Sequence, residues 1–377
     1  MRKWVLGFTV MVVVLALLPT MWLAQPSAPV AIAQAPTFRM RIQTSMPSAA
    51  TQFEGMQKFA ERLQKMSAGR VKVDVLPIGA VVGLSEILEA VDKGVVEAGF
   101  AWTHVWSGKH PAAGLFGSPP AGAGTGMDQT THLSWLISGE GANLLRELYR
   151  DGLKTSVVPF PIMAVGPEAL GWFKRPIQSL DDFRKLRFRT PPGLPGEIYL
   201  EAGITAVSLP GPEILPAAQR GVIDAAEWGF PSDDLAFGFH RVWKNYYLQG
   251  LHQVTVVADL IVNGDFWKRL PPDVQAMIDT AAMAANLEHY ALLIHRNGIA
   301  LKELVEKHGV VLQETPREYF TQFPKATKKV LDKYAARDAF FKKVLESQRQ
   351  FAQLAMPYRI NAHKVDLFLA ESALKDR

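Results

Sequence analysis

Residues 214–229, ILPAAQRGVIDAAEWG, follow at a distance of 127 positions a near copy of themselves, ILEAVDKGVVEAGFAW at 87–102. The register holds at Gly94 and Gly221, at Glu97 and Asp224, and in charge at Lys93 and Arg220. Just upstream, VDVLPIG and AVSLPGP are also alike. Each copy reads as strand, loop, helix, glycine stop and strand. The glycine stands where a helix ends in a left-handed cap, and the apolar pair after it opens the next strand. A β-α-β unit occurring twice predicts two similar α/β domains. In the second copy Val222, Ile223 and Ala225 read as a short buried strand. Glu227 and Trp228 fall at its exit, and Gly229 and Pro231 are expected to stop regular structure.

The chain outside the repeat fits the same alternation. Phe53, Met56, Phe59, Ala60, Leu63 and Met66 keep helical spacing up to Gly69. Ser179 is placed to cap a short helix over LDDFRKL, with acids in its first turn. RFRTPPG follows as a strand running into a proline-fixed turn. A helix is predicted from Pro271 to about His308. Beyond Lys325 a densely charged helix is expected up to Pro357, with Phe340, Val344, Phe351 and Ala355 on one face.

With 377 residues, 48% of them apolar and 20% charged, the chain has a globular composition and length for two or three domains. Its first 35 residues read as a secretory signal. Arg2 and Lys3 form a positive start, Val5 to Leu18 is continuously apolar, and Ala33-Gln34-Ala35 offers a cleavage site of small residues. A retained transmembrane anchor is the alternative, against which Pro19 and the small-residue site argue. Cleavage would take two of the 41 basic residues and none of the 36 acidic ones, leaving a net charge of +3. That balance is too small and too dispersed for a nucleic-acid partner, though it suits small anions. With no cysteine, disulfides, thiol catalysis, thiolate metal sites and a lipid tether are all excluded. An exported, untethered protein without disulfides points to a bacterial periplasm.

Hydrolase and nucleotide signatures are missing: there is no GxSxG and no HExxH, and AGAGTG at 121–126 lacks the GxGxxG spacing and reads as a flexible connection. His104, His110, His240 and His252 stand isolated and read as surface or packing residues. The repeat sets Phe100 opposite Glu227, and the AWTHVW segment adds Trp102 and Trp106. One lobe would thus offer aromatic surface and the other charge, a composition common in small-molecule clefts. Arg189 precedes the prolines of RFRTPPG, where a guanidinium can grip a carboxylate with two parallel bonds. Arg187 reads as a surface residue. On composition alone Glu168, in the turn of VGPEALGWF, would be solvated. Glu227, among apolar neighbours, is the strongest candidate for a buried acid.

KLRFRTPPGLPGEIYLEAG, SLPGPEILPAAQRGVIDAAEW and FGFHRVWKNYYLQGLHQ resemble the solute-binding proteins of tripartite ATP-independent periplasmic (TRAP) transporters. Within these they are most similar to the branch that binds 2-oxo and 2-hydroxy monocarboxylates such as pyruvate and lactate. The resemblance spans essentially the whole mature chain. It implies a two-lobe α/β clamshell, each lobe a mixed sheet flanked by helices, with a C-terminal helical extension. Lobe 1 would take residues 36–165 with a return over about 255–295, and lobe 2 residues 166–254 with a return over about 296–322. The extension would be 325–377.

The resemblance also implies a site. Arg189 would pair with the substrate carboxylate, and Glu168, Gln253 and Trp102 would line the substrate. A bridging cation would be held by the Glu227 carboxylate, the Trp228 carbonyl and the side chain of Gln253. This chain has Glu168 where that branch more often has glutamine, and Gln253 where it more often has glutamate, so the pair of exchanges conserves charge. A divalent ion and Arg189 would balance Glu168, Glu227 and a substrate carboxylate, whereas sodium would leave one negative charge over. Buried charge left uncompensated is costly, and oxygen ligands suit calcium, so calcium is expected over sodium. The expected partners are the TRAP membrane subunits and a second copy of the chain, since the resembling branch dimerises through its C-terminal helices. The alternative is a periplasmic enzyme using a metal to polarise a 2-oxo acid. It would need a general acid or base, and no histidine was placed beside these residues.

Overall fold

The computed structural model describes residues 36–191 and 193–375; the predicted signal peptide, with its cleavage site near Ala35, lies outside them. Eleven strands form among the described residues: β1 Phe38–Thr44, β2 Val71–Leu76, β3 Ala98–Trp102, β4 Val158–Val165, β5 Gly171–Phe173 and β6 Arg187–Thr190, then β7 Thr205–Ser208, β8 Ala225–Ala226, β9 Asn245–Tyr247, β10 Val256–Val262 and β11 Val311–Gln313. They assemble into two mixed sheets, ordered β2-β1-β3-β10-β4 and β11-β9-β5-β8-β6-β7. The fold is the expected two-lobe clamshell.

The sequence repeat is a repeat of topology. β1 runs parallel to β2 and β3 as β6 runs parallel to β7 and β8, and an antiparallel strand follows in each sheet, β10 beside β3 and β5 beside β8. Ile42 faces Ala98 across one pair and Phe188 faces Ala225 across the other. The two helix ends agree bond for bond. Gly94 and Gly221 take φ of 71° and 70°. The N–H of the next residue reaches back five positions in each, Val95 to Ala90 and Val222 to Ala217, both at 2.8 Å. Such left-handed caps favour glycine because a Cβ is strained there. Each lobe also closes its first strand with the same fork. Arg41 grips Glu97 through Nε and Nη2 at 2.9 and 2.8 Å, and Arg187 grips Asp224 at 2.8 and 3.0 Å. Arg187 is a surface residue, as expected, and also a strand tie.

Three chain crossings join the lobes: β4 to β5, β9 to β10, and the 37-residue helix Pro272–His308 that leads to β11. The lobes also touch directly. Gln52 Nε2 donates to Asp233 Oδ2 at 2.8 Å, and a Cβ on Gly114 would stand 2.8 Å from Leu194 Cδ1. Ser179 caps its helix as expected, its hydroxyl accepting from the Asp182 N–H at 3.1 Å.

Several local expectations are corrected. β8 spans two residues only, and Val222 is 46% exposed because it belongs to the helix cap. Pro231 starts a helix, Pro231–Phe237, where its missing N–H and fixed φ cost nothing. Residues 121–126 are no flexible connection. Ala121, Gly122 and Ala123 form a left-handed turn with φ of 45°, 59° and 53°, and Gly122 and Ala123 are buried. Phe100 is fully buried in the lobe 1 core and presents no cleft surface. The C-terminal region comprises two helices, Arg317–Ala335 and Ala339–Lys375, and the second runs on through Pro357. Val344, with Phe341 and Leu345 beside it, is buried against the chain's own lobes, and Phe340 and Phe351 pack on the same core.

One buried acid in this core has a consequence for stability. Asp259 on β10 is 1% exposed; the hydroxyls of Thr103 and Tyr149 donate to its Oδ2, each at 2.7 Å, while Oδ1 has no partner. Burial pushes its carboxyl up to about 7. Because the folded value lies above the unfolded one, roughly 4, the native state binds the extra proton between those limits. Stability therefore falls as pH rises through that window. Asp259→Asn should shrink the fall in unfolding free energy between pH 4.5 and 7.5, measured by urea denaturation. An unchanged slope would show that Asp259 is not neutral in the native state.

Candidate functional site

The site forms where the lobe 2 sheet changes direction, outside the carboxyl ends of the parallel strands β6 and β8, the place where open α/β sheets leave a crevice. Arg189 sits in β6, opposite Ala226 of β8 and Val207 of β7. Glu227 is the first residue beyond β8, so the pairing register brings the two side chains together. Arg189 Nη1 donates to Glu227 Oε1 at 2.5 Å and to its carbonyl at 2.9 Å. Nε and Nη2 donate to the Leu209 carbonyl at 3.1 and 3.0 Å. Of the five guanidinium N–H groups, one on Nη2 is left without an acceptor among the described residues. Both side chains are almost wholly buried, 7% and 2% exposed.

Two lobe crossings complete the cluster. Glu168 lies between β4 and β5, and His252 and Gln253 lie between β9 and β10. The Glu168 N–H donates to the Gln253 carbonyl at 3.0 Å, tying the crossings together. His252 Nε2 stands 3.8 Å from Glu227 Oε2 and 4.0 Å from Glu168 Oε2. Glu168 Oε2 and both ring nitrogens of His252 are buried without a partner. Burial raises the Glu168 carboxyl well above its usual range, and the Glu227, Asp234 and Asp233 carboxylates push it further; Arg189 opposes them. The His252 backbone is set from both sides of Leu251. Its N–H donates to the Tyr319 hydroxyl at 3.0 Å, and its carbonyl accepts from Ala121 in the left-handed turn at 2.7 Å.

Glu168, Arg189 and Glu227 thus stand in one buried group, with Gln253 buried alongside. Trp228 lies over Arg189, the guanidinium carbon 5.6 Å from its ring centre, and packs on Phe237. Gly211 makes room for it: a Cβ there would stand 2.6 Å from the indole. Trp102 ends β3 half-buried, against Phe100 and the small cluster of Val165, Phe230 and Val256. Trp106 is a core residue donating to the Tyr149 hydroxyl at 3.1 Å.

Two histidines read from the sequence as surface or packing residues belong to this neighbourhood. His252 belongs to the charged cluster and adjoins Gln253, which was the available signal. His104 brings a lobe 1 imidazole whose Nδ1 is shielded and unpartnered. Burial holds its pKa down to about 4, and the Glu227 carboxylate pulls the other way. The other pair singled out is less central: His240 stacks on His308 at 4.2 Å, and His110 packs on Phe340.

Comparison with known proteins bears directly on this arrangement. Residues 42–338 match the model of bacterial extracellular solute-binding proteins, family 7. The chain belongs to that family. It is a periplasmic solute-binding protein of the TRAP type, which answers enzyme against receptor in favour of a receptor. A monocarboxylate 2-oxoacid-binding periplasmic protein of Nostoc sp. PCC 7120 is 32% identical over 89% of this chain and 90% of its own length. A TRAP transporter solute-binding protein of Bordetella bronchiseptica RB50 superposes with a TM-score of 0.83 at 27% identity, covering 91% of this chain and 100% of its own. Its crystals hold a mixed-occupancy dimer with copurified calcium and picolinate in one site. A second, from Pseudoalteromonas atlantica T6c, with bound sodium and pyruvate, gives 0.79 at 26% identity over 88% of this chain and 98% of its own.

The buried pair should behave as a unit. Arg189→Met alone is expected to cost roughly 3–5 kcal/mol of unfolding free energy, because it strands the Glu227 charge. Arg189→Met with Glu227→Gln should cost clearly less than the two single changes together. Urea unfolding of the four proteins measures the coupling; additive costs would refute it.

Proposed function

We propose that this receptor captures a small 2-oxo or 2-hydroxy monocarboxylate, such as pyruvate or lactate, together with a bridging cation, and delivers it to TRAP membrane subunits. The observation that carries the reading is the buried group of Arg189, Glu227, Glu168 and His252, in which Glu168 Oε2 and both His252 ring nitrogens lack partners and one donor atom from each of Glu168, Glu227 and His252 falls within 4.8 Å of the others. The ligand carboxylate takes the remaining N–H of Arg189. Glu227 Oε2, the Trp228 carbonyl and the Gln253 side chain hold the cation, with Glu168 and Trp102 lining the substrate. The partner-free oxygen of Glu168 fits a cation nearby, because a buried carboxylate oxygen facing nothing positive is costly. The protein itself supplies one positive and two negative charges. A monocarboxylate adds a third negative, and a divalent ion closes the balance. Calcium is therefore favoured over sodium, which would need a proton on one glutamate. The Nostoc relative's 2-oxoacid ligand and the calcium and sodium of the two solved relatives support the same reading.

Two titrations test it. Pyruvate and lactate binding, followed by calorimetry, should weaken after the cation is stripped by chelation, and the ligand should tighten the cation by the same factor. Equal affinity with and without the cation would refute the bridge. Arg189→Ala should lower ligand affinity at least a hundredfold, and near-normal binding would remove Arg189 from the site.

Assembly is the second part of the proposal. Leu354, Tyr358, Val365 and Leu369 recur along one face of the last helix and are 78%, 77%, 57% and 59% exposed. Covering each would contribute about 1.5–3 kcal/mol, and a symmetric homodimer is the proposed cover. Since the helices up to Met356 pack on their own lobes, a chain ending there should keep its fold and elute as a monomer. Light scattering giving a monomer mass for the full mature chain at micromolar concentration would refute the dimer.

A further inference from the structure

We propose that Tyr319, on the helix Arg317–Ala335 of the C-terminal region, is a positioning residue for the ligand site: its hydroxyl sets the β9–β10 crossing that presents Gln253. The inference rests on the proposed function and adds to it a residue that acts through another, touching neither solute nor cation.

Residues 248–255 of the crossing belong to no strand or helix, so their backbone must find its partners elsewhere. It finds them on three sides. The Thr315 hydroxyl donates to the Gln249 carbonyl at 3.0 Å. The Leu251 N–H donates to the Tyr319 hydroxyl at 3.0 Å, and the Leu251 carbonyl accepts from Ala121 at 2.7 Å. The Gln253 carbonyl accepts from Glu168 at 3.0 Å. Gly250 leaves no slack between these grips, since a Cβ there would stand 2.9 Å from the Glu168 carbonyl oxygen. Tyr319 thus holds the residue two positions before Gln253.

The tyrosine has little freedom of its own. It is 1% exposed, and its ring packs against Phe320 and Phe323 with centres 5.6 and 5.1 Å away. The helix start is pinned as well, because the neighbouring Glu318 carboxylate accepts the Leu180 N–H at 2.9 Å. The Tyr199 hydroxyl stands 3.3 Å from that of Tyr319. A ring locked by packing gives its hydroxyl one place, and that place fixes the N–H donating to it. Packing alone needs only the ring, which phenylalanine also supplies. The hydroxyl carries the positional duty, and binding groups displaced by an ångström lose much of their effect.

The test uses the full mature protein, with pyruvate binding followed by calorimetry in saturating calcium. Tyr319→Phe should lower pyruvate affinity about tenfold, the usual scale for a group that orients a binding residue from behind. Tyr334→Phe is the control: it lies in the same helix, but its hydroxyl meets Glu197 rather than the crossing, and it should leave affinity unchanged. Tyr319→Phe binding as tightly as the unmodified protein, or both variants weakening alike, overturns the assignment and leaves Tyr319 a packing residue. Amide hydrogen exchange reads the grip without ligand. The Leu251 amide should exchange faster in Tyr319→Phe than in the unmodified protein or in Tyr334→Phe, and equal rates overturn the proposal. An unmodified protein that binds neither pyruvate nor lactate with calcium would instead refute the proposed function, and this inference with it.

Discussion

The pairing of Arg189 with Glu227 is the constraint around which lobe 2 is arranged. Two opposite charges removed from water lose more solvation than their attraction returns, unless other groups satisfy their remaining bonding capacity. Here backbone supplies that capacity. The Leu209 carbonyl takes two guanidinium N–H groups, and the Glu227 carbonyl takes another beside the carboxylate. Both carbonyls lie at the carboxyl ends of strands, so the sheet must be ordered β7-β6-β8 for the arginine to be satisfied. An ionised Glu168 would leave the cluster one charge negative, which burial and the neighbouring carboxylates resist by raising its carboxyl well above the usual range. A buried excess of that sign favours cations and disfavours a lone anion, which is why the substrate is expected in company.

The other lobe shows what the same scaffold does without the charge. The strand register makes Gln43 the counterpart of Arg189 and Phe100 the counterpart of Glu227. Gln43 Nε2 donates to the Pro77 carbonyl at 2.8 Å, the first residue after β2, much as Arg189 reaches Leu209, the first residue after β7. Holding the loop beyond the flanking strand is thus a duty common to both positions. The guanidinium meets it with two N–H groups and has others to spare for Glu227. Lobe 1 closes over its equivalent with an aromatic core, and the molecule acquires one charged wall rather than two.

This difference also marks how far the sequence could be read. The duplication was legible because its register holds along two whole segments, and the glycine caps at 94 and 221 and the Ser179 cap because each depends on residues within a few positions of one another. Glu227 was legible as a buried acid because its immediate neighbours are apolar. His252 was not, since its one local signal, the adjoining Gln253, does not show that it meets Glu168 and Glu227 across two chain crossings. The turn at Ala121–Ala123 was illegible for a related reason. Alanine pays roughly 1–2 kcal/mol per residue for left-handed backbone, so composition argues against it, and bonds such as the Ala121 N–H to the Leu251 carbonyl hold it there. The stripe of Phe340, Val344, Phe351 and Ala355 was legible as an apolar face, but not what covers it. Helical spacing identifies an apolar face without saying whether the chain's own lobes or a second copy will cover it.

The site stands on the crossings themselves. Glu168 belongs to one chain passage between the lobes and His252 and Gln253 to another, and the Glu168 N–H to Gln253 carbonyl bond locks the two passages side by side. Ligand groups that bind there act on the segments whose torsions set the angle between the lobes. In a protein whose residues belong rigidly to one lobe or the other, closure follows from bridging contacts at the cleft mouth alone. Here a cation drawing the Glu168 and Glu227 carboxylates together would hold a crossing against lobe 2, and the open arrangement could not offer it the same set of atoms. That differential affinity is what a ligand needs to shift a hinge equilibrium. Contacts such as Gln52 to Asp233 then secure the rim, but they do not choose the ligand. On the proposed reading, selectivity and closure would arise in one place, because Glu168, His252 and Gln253 sit on the chain crossings between the lobes.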